Sequence, residues 1–346
     1  MLIEKSHDFF IQLHLTEKCN LRCRHCYQTG NSIGEMSFDE IKGVVSEVFQ
    51  MLRDWSELYN ISFSPSFNVT GGEPCLRPDF YEILILIKDI GAKAYILSNG
   101  TLIDREKARL LKNLDVSGVQ ISIEGPQEIH DSLRGKESFL SSLNGIRQLV
   151  DAGIMVTLNT TLSKVNAPYL VEVKKLAHEL GAQRFGFSRL VPYGIGSSLL
   201  DKMLLKEEVS TLYHNMFDES INSLEVVSGD PLVSQMYDDK PSGGNIALGG
   251  CAAGISGLTI LPDGTITPCR RMPIAIGNIR VDSLREIWAT SSVLEALRNR
   301  ALYKGKCGAC DRWSTCRGCR AIAYAYSKST GNGDFLAEDP QCFICK

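Results

Sequence analysis

Cys19-Asn20-Leu21-Arg22-Cys23-Arg24-His25-Cys26 places three cysteines close together directly after an apolar run, Phe9 to Thr16. A tetrahedral zinc site draws four ligands, usually from two separated pairs. A compact loop offering only Cys19, Cys23 and Cys26 suits three corners of an iron–sulfur cubane instead. The remaining iron is then open to bind a small molecule and pass it an electron, so the loop reads as a reactive centre and not as a structural staple.

Outward from this loop, strand-like and helical patterns alternate. The strand-like runs are Phe9–Thr16, Ile61–Thr70, Lys93–Ser98, Gly118–Glu124, Ile154–Thr161 and Gln183–Leu190, separated by amphipathic stretches. Ser37-Phe38-Asp39-Glu40 opens the first of these as a capping box. Such units with parallel strands predict an α/β fold, a partial (βα)6 TIM-like barrel whose chemistry sits at the carboxyl ends of the strands. The motif-bearing turns fall there: Cys19, then Thr70-Gly71-Gly72-Glu73-Pro74, Ser98-Asn99-Gly100, and Ser122 to Gly125. Glycine at 71 and 72 lets backbone approach a ligand closely, and Ser122 and Glu124 share one face of their strand, where a hydroxyl and a carboxylate can grip a ribose.

Cys-x3-Cys-x2-Cys, followed by these motifs in this order, resembles the signature of the radical S-adenosylmethionine (radical SAM) enzymes. The resemblance implies that Cys19, Cys23 and Cys26 bind a 4Fe-4S cluster that reductively cleaves S-adenosylmethionine to a 5′-deoxyadenosyl radical. It places Gly71, Gly72, Glu73 and Pro74 at the methionine amino group. His25, Ser98, Asn99, Ser122 and Glu124 join the cofactor site, and Arg134 pairs with the methionine carboxylate. Glu124 stands where the family usually has aspartate.

Cys75 follows the glycine turn; it reads either as a small buried hydrophobe or as a catalytic hydrogen-atom donor to a substrate radical. Eight further cysteines lie between Cys251 and Cys345. In a chain of 346 residues without an apolar signal segment, clustered thiols point to metal rather than disulfides. Cys307-x2-Cys310-x5-Cys316-x2-Cys319, with Cys251 and Cys269 before it and Cys342 after, resembles the SPASM extension. By that resemblance Cys307, Cys310, Cys316 and Cys342 hold one auxiliary 4Fe-4S cluster, and Cys251, Cys269 and Cys319 serve a second, which either keeps an open iron or is closed by Cys345. A zinc ribbon of two Cys-x2-Cys pairs is the alternative for this tail.

The hydrophobic fraction of 44%, the charged fraction of 22% and a net charge of −3 match an ordinary globular enzyme, with no broad basic excess for nucleic acid and no membrane-length apolar stretch. A cytoplasmic location is expected. The expected division is a radical SAM barrel over 1–200, a bridging helix around Lys206–Ser223 and a loop or lid over 228–250, and a small cysteine-rich iron–sulfur domain over 251–346 that begins with a hairpin turning at Pro262-Asp263-Gly264. The resemblance leads first to modification of a ribosomally made precursor peptide, with a separate peptide-recognition protein as a partner and flavodoxin or ferredoxin as electron donor. Within the same family the second reading is side-chain decarboxylation of a haem precursor, motivated by Cys316-Arg317-Gly318-Cys319 and Ala337 to Cys342. Sulfatase maturation is the third, and a non-catalytic metal-binding scaffold is the reading from another class.

Overall fold

The computed structural model describes residues 7–30, 34–218, 221, 223–236 and 246–344. Strands β1 (His7–His14), β2 (Phe63–Thr70), β3 (Lys93–Ser98), β4 (Gly118–Ser122), β5 (Val156–Leu162) and β6 (Arg184–Arg189) alternate with helices α1 (Phe38–Tyr59), α2 (Phe80–Asp89), α3 (Arg105–Asn113), α4 (Gln127–Arg134), α5 (Ser138–Asp151) and α6 (Leu170–Glu179). β1 to β6 pair in parallel in chain order, as the alternation of periods predicts. The capping box forms as read: Glu40 N donates to Ser37 Oγ at 3.2 Å and Ser37 N to Glu40 Oε2 at 2.7 Å.

Within the strands one set of alternating side chains is apolar and buried, as with Val119, Ile121, Val156 and Leu158. The set between them is polar: Gln120, Ser122, Asn159 and Thr161 line an internal cavity. A hydrophobic outer face against helices and a polar inner face is what a barrel needs if its interior binds something.

Two parts of the sheet extend beyond the expected six strands. β7 (Glu225–Val227) adds to β6 in parallel. β8 (Gly257–Ile260) and β9 (Thr265–Thr267) form the anticipated antiparallel hairpin, and β10 (Gly277–Asn278) pairs with β9. β8 also lies parallel on β1, Phe10 opposite Gly257, so one sheet runs β10-β9-β8-β1-β2-β3-β4-β5-β6-β7 across the boundary expected at residue 250. The remaining helices are α7 (Lys206–Asp218), α8 (Leu284–Thr290), α9 (Ser292–Arg298), α10 (Gly305–Ala309) and α11 (Arg320–Thr330). Of the bridging segment, 219, 220, 222 and 237–245 lie outside the described residues, as does Cys345.

The tail is bolted to the barrel near both its first and its sixth strand. Near β1, Phe9 meets Trp55 of α1 and Trp288 of α8 edge-on, with centroids 5.7 and 4.9 Å apart, and Leu284 N donates to Glu47 Oε1 at 2.7 Å. At β6, fully buried Arg189 forks onto Asp230 (2.7 and 3.0 Å) and onto Asp339 (2.8 and 2.7 Å). Burial alone would raise the Asp339 carboxyl, but the Arg189 charge outweighs it and holds that group below the usual carboxylate range.

A second close fit sets the cysteine loop. Gly71 has φ +152°, and a Cβ on Gly72 would lie 2.6 Å from the Lys18 carbonyl carbon. Gly72 N donates to Thr16 O at 2.8 Å and Glu73 N to Lys18 O at 2.9 Å, so the end of β2 is stitched to the residues that lead into Cys19.

R189M leaves two buried carboxylates unpaired, an expected loss of about 3–5 kcal/mol, or a melting midpoint lower by on the order of 10 °C. Because the folded-state value of Asp339 is depressed, its stabilisation is present above about pH 4 and is lost as pH falls through the folded value, so parent and variant should converge in acid. Equal midpoints at neutral pH would contradict this. G72A should displace the Cys19–Cys26 loop and lower the iron it takes up on anaerobic reconstitution while the tail thiols keep theirs. Paramagnetic resonance showing an unaltered loop signal would contradict that.

Candidate active site

The loop carrying Cys19, Cys23 and Cys26 is held by groups from several strand ends. Arg77 donates to Leu15 O (2.9 Å) and Met36 O (2.7 Å), fixing the approach from β1. Asn99, just past β3, donates to Asn20 Oδ1 at 2.9 Å and reaches Cys19 Sγ at 3.9 Å. Arg24 N donates to Leu133 O at 2.8 Å, and Gly196 N to Cys26 O at 2.8 Å. All three sulfurs line a cavity of about 200 Å³ together with Gly71, Gly72, Ser98, Asn99, Ser122 and Arg134. Burial raises all three thiols, Cys26 to about 11, so binding to a cation is what would draw off their protons.

Several expected cofactor residues face this cavity, and others stand behind it. His25, Gly71, Gly72, Ser98, Asn99, Ser122 and Arg134 line it. Glu73, Pro74, Cys75 and Glu124 are not among the lining residues. Glu73 is fully buried and accepts from Ser98 Oγ (2.9 and 3.0 Å) and Asn99 N (2.8 Å); it shapes the turn after β3. Pro74 opens a short 3-10 turn, Pro74–Leu76.

Glu124 is also fully buried, and both its oxygens are engaged. Oε1 accepts from Arg134 Nε (2.9 Å) and Nη2 (2.6 Å) and lies 3.3 Å from His25 Nε2, while Oε2 accepts from Thr161 N (2.8 Å) and Asn166 Nδ2 (3.3 Å). Burial would raise its pKa, but Arg134 and then His25 outweigh burial and hold it well below the carboxylate range. The ribose grip expected of Ser122 with Glu124 therefore leaves Ser122 on the cavity, while Glu124 becomes the anchor that aims Arg134 and His25. Arg134 in turn points Nη1 at Cys23 Sγ, 3.9 Å away. Glu124 is on the same side as Ser122, among the cavity-lining groups His25, Arg134 and Thr161, and its oxygens are taken up by them.

Cys75 is half-buried and adjoins Ser98, which lines the cavity. It packs against the core without lining the cavity itself, and burial, with Glu73 beside it, pushes its thiol far up. Cavity residues that the motifs did not flag include Arg22, Tyr27, Asn159, Thr161, Arg189, Arg270 and Arg271. The readable signal for Asn159 and Thr161 was their polar alternation along β5. Arg270 and Arg271 follow Cys269 and reach the cavity only because β8 lies on β1.

The tail cysteines form two neighbourhoods. Cys307, Cys310, Cys316 and Cys342 jointly line a second cavity of about 350 Å³. N–H groups point at these sulfurs: Gln235 Nε2 at Cys342 (3.4 Å) and Cys316 (3.7 Å), Arg320 Nη2 at Cys307 (3.6 Å), and Gly318 N at Cys316 (3.4 Å). Such donors are the protein's means of tuning an iron–sulfur cluster. Cys251, Cys269 and Cys319 form the other set, all within electrostatic reach of Arg271. Among the described residues no three such side chains converge on a single-ion position, which needs sulfurs only about 3.8 Å apart around zinc. Thiol sets spread around cavities, with N–H groups aimed at the sulfurs, fit iron–sulfur clusters.

The family described as the radical SAM superfamily matches residues 13–177, and the SPASM iron–sulfur cluster-binding domain matches residues 251–320. The AdoMet-dependent heme synthase of Methanosarcina barkeri is 32% identical, over 96% of this chain and 95% of its own. The mycofactocin maturase MftC of Mycobacterium tuberculosis is 29% identical, over 95% of this chain and 81% of its own. Among solved structures, anSMEcpe with bound AdoMet aligns at a TM-score of 0.72 with 20% identity, covering 97% of this chain and 94% of that one. Streptococcus suis SuiB bound to the precursor peptide SuiA aligns at 0.72 with 16% identity, covering 98% and 76%. At these identities the two structures establish a shared fold. With both domains matched in order and similarity running from end to end, the chain belongs to the radical SAM superfamily, as an enzyme with a C-terminal SPASM domain that works with iron–sulfur clusters and S-adenosylmethionine.

Proposed function

We propose that the enzyme decarboxylates carboxylate side chains of a haem precursor. The observation that carries this reading is the end-to-end similarity to a heme synthase at higher identity and fuller coverage than to a peptide maturase. The precursor-peptide reading, first on sequence grounds, has a maturase relative of lower coverage and a peptide-bound neighbour that speaks only for the fold. The cavity is in keeping with an anionic substrate: Arg22, Arg134, Arg189, Arg270 and Arg271 line it. On this reading a separate peptide-recognition protein is not required, and a small electron carrier such as flavodoxin or ferredoxin supplies the reductant.

In the proposed site Cys19, Cys23 and Cys26 hold the reactive cluster, and Gly71, Gly72, Ser98, Asn99 and Ser122 flank the S-adenosylmethionine. Cys307, Cys310, Cys316 and Cys342 hold one auxiliary cluster, and Cys251, Cys269 and Cys319 serve the other. Together these groups supply, when bound, a radical that removes a hydrogen atom from the side chain and an acceptor for the electron released as carbon dioxide departs and an alkene forms. The chain's own tasks are positional. Glu124 fixes Arg134 and His25 beside the reactive loop, and the apolar outer face of the strands keeps bulk water from the interior.

Anaerobically reconstituted enzyme with S-adenosylmethionine and dithionite should convert a propionate-bearing iron porphyrin to a product lacking carbon dioxide and two hydrogens per side chain, detected by mass spectrometry. An unchanged porphyrin, alongside a modified co-expressed peptide, would overturn the proposal. Replacing Cys19, Cys23 and Cys26 together by Ala should abolish 5′-deoxyadenosine formation yet leave the tail's iron in place. Continued formation in that variant would refute the loop assignment.

A further inference from the structure

Five arginines line the cavity, and their acceptors differ. Arg22 donates to the Cys19 and Leu21 carbonyl oxygens at 2.8 and 3.0 Å. Arg134 is committed to Glu124, and Arg189 to Asp230 and Asp339. Arg271 lies within electrostatic reach of Asp230 and of the thiols of Cys251, Cys269 and Cys319, and its buried Nε has no hydrogen-bond partner. Arg270 has no hydrogen-bond acceptor among the described residues and, unlike Arg271, no carboxylate near it; what it meets is the face of Tyr27, 5.6 Å from guanidinium carbon to ring centroid.

A guanidinium keeps its charge at any ordinary pH and presents a planar fork of donors, so a half-buried one on a cavity wall without an acceptor is free to take an arriving anion. The Tyr27 hydroxyl does not serve, since it sits 3.4 Å from His14 Nε2. Glu17, the acidic side chain on the cavity wall, makes no ion pair with Arg270 among the described residues, and burial raises its carboxyl to about 7. Arg270 follows β9, in the tail, whereas the groups proposed to flank S-adenosylmethionine come from the ends of β2, β3 and β4.

We propose that Arg270 receives a carboxylate of the substrate's side chain as a bidentate pair, next to the thiol set that Arg271 faces. That the carboxylate belongs to a porphyrin rests on the function proposed above; that Arg270 binds one does not. Binding to the reconstituted holoenzyme is read by fluorescence quenching of a free-base porphyrin bearing propionates, beside its fully methylated ester. R270Q should weaken the acid roughly 10- to 100-fold and R270K less, with the ester, S-adenosylmethionine affinity and iron content unchanged. Undiminished binding of the acid by R270Q would overturn the proposal. So would a matched loss of S-adenosylmethionine binding, which would give Arg270 to the methionine carboxylate. If the parent binds no porphyrin, the function proposed above fails, and a short glutamate-rich peptide then decides: Arg270-dependent binding retains the clamp, and indifference to R270Q removes it.

Discussion

The chemistry in this fold depends on one buried guanidinium. Arg189 ends β6, and its donors are spent on Asp230, Asp339 and Gln341. Asp339 passes the constraint on, because its Oδ2 also accepts from Cys319 N at 2.8 Å and its Oδ1 from Gln341 N at 3.0 Å. The same carboxylate thus fixes a thiol of one auxiliary set and the segment leading to Cys342 of the other. Replacing such a network by apolar side chains can be neutral for stability in general, so its value here lies in geometry: it sets the tail's cysteines against the mouth of the barrel.

A parallel economy operates at the reactive loop. Glu124 gathers Arg134, His25, Thr161 and Asn166 around one desolvated charge, so that Arg134 can lie against Cys23 without being drawn into solvent. Once Arg134 and Arg189 are paired with carboxylates, the cavity's remaining guanidinium charge resides on Arg22 of the loop and, on the tail side, on Arg270 and Arg271. A site that gathers arginines and spends only some of them on its own carboxylates suits a substrate that brings its own.

Most of the scaffold was legible because local patterns and tertiary placement agree. The six strands fall within about two residues of the runs read from alternation, and Ser37 and Glu40 close their box as spelled. Spacing plus resemblance put Cys307, Cys310, Cys316 and Cys342 together, and these four line one cavity. What local pattern could not supply was pairing across long stretches of chain. β8 on β1, and therefore the arrival of Arg270 and Arg271 at the cavity, depends on residues some 250 positions apart. β7 is three residues long and carries no periodic signal. The hydrogen-bond partners of Glu124 and the packing of Cys75 were not legible either: both residues sit past a strand end, where the turn decides which way a side chain points.

The most direct test of the central claim, that barrel and tail together build one site for radical decarboxylation of a porphyrin side chain, is an isotope transfer. The iron porphyrin is supplied with deuterium on its propionate carbons, and 5′-deoxyadenosine is collected from the anaerobic reaction. The account predicts deuterium in the 5′-deoxyadenosine, in step with loss of carbon dioxide. Unlabelled 5′-deoxyadenosine during porphyrin turnover, or label acquired only from a deuterated peptide, would contradict it.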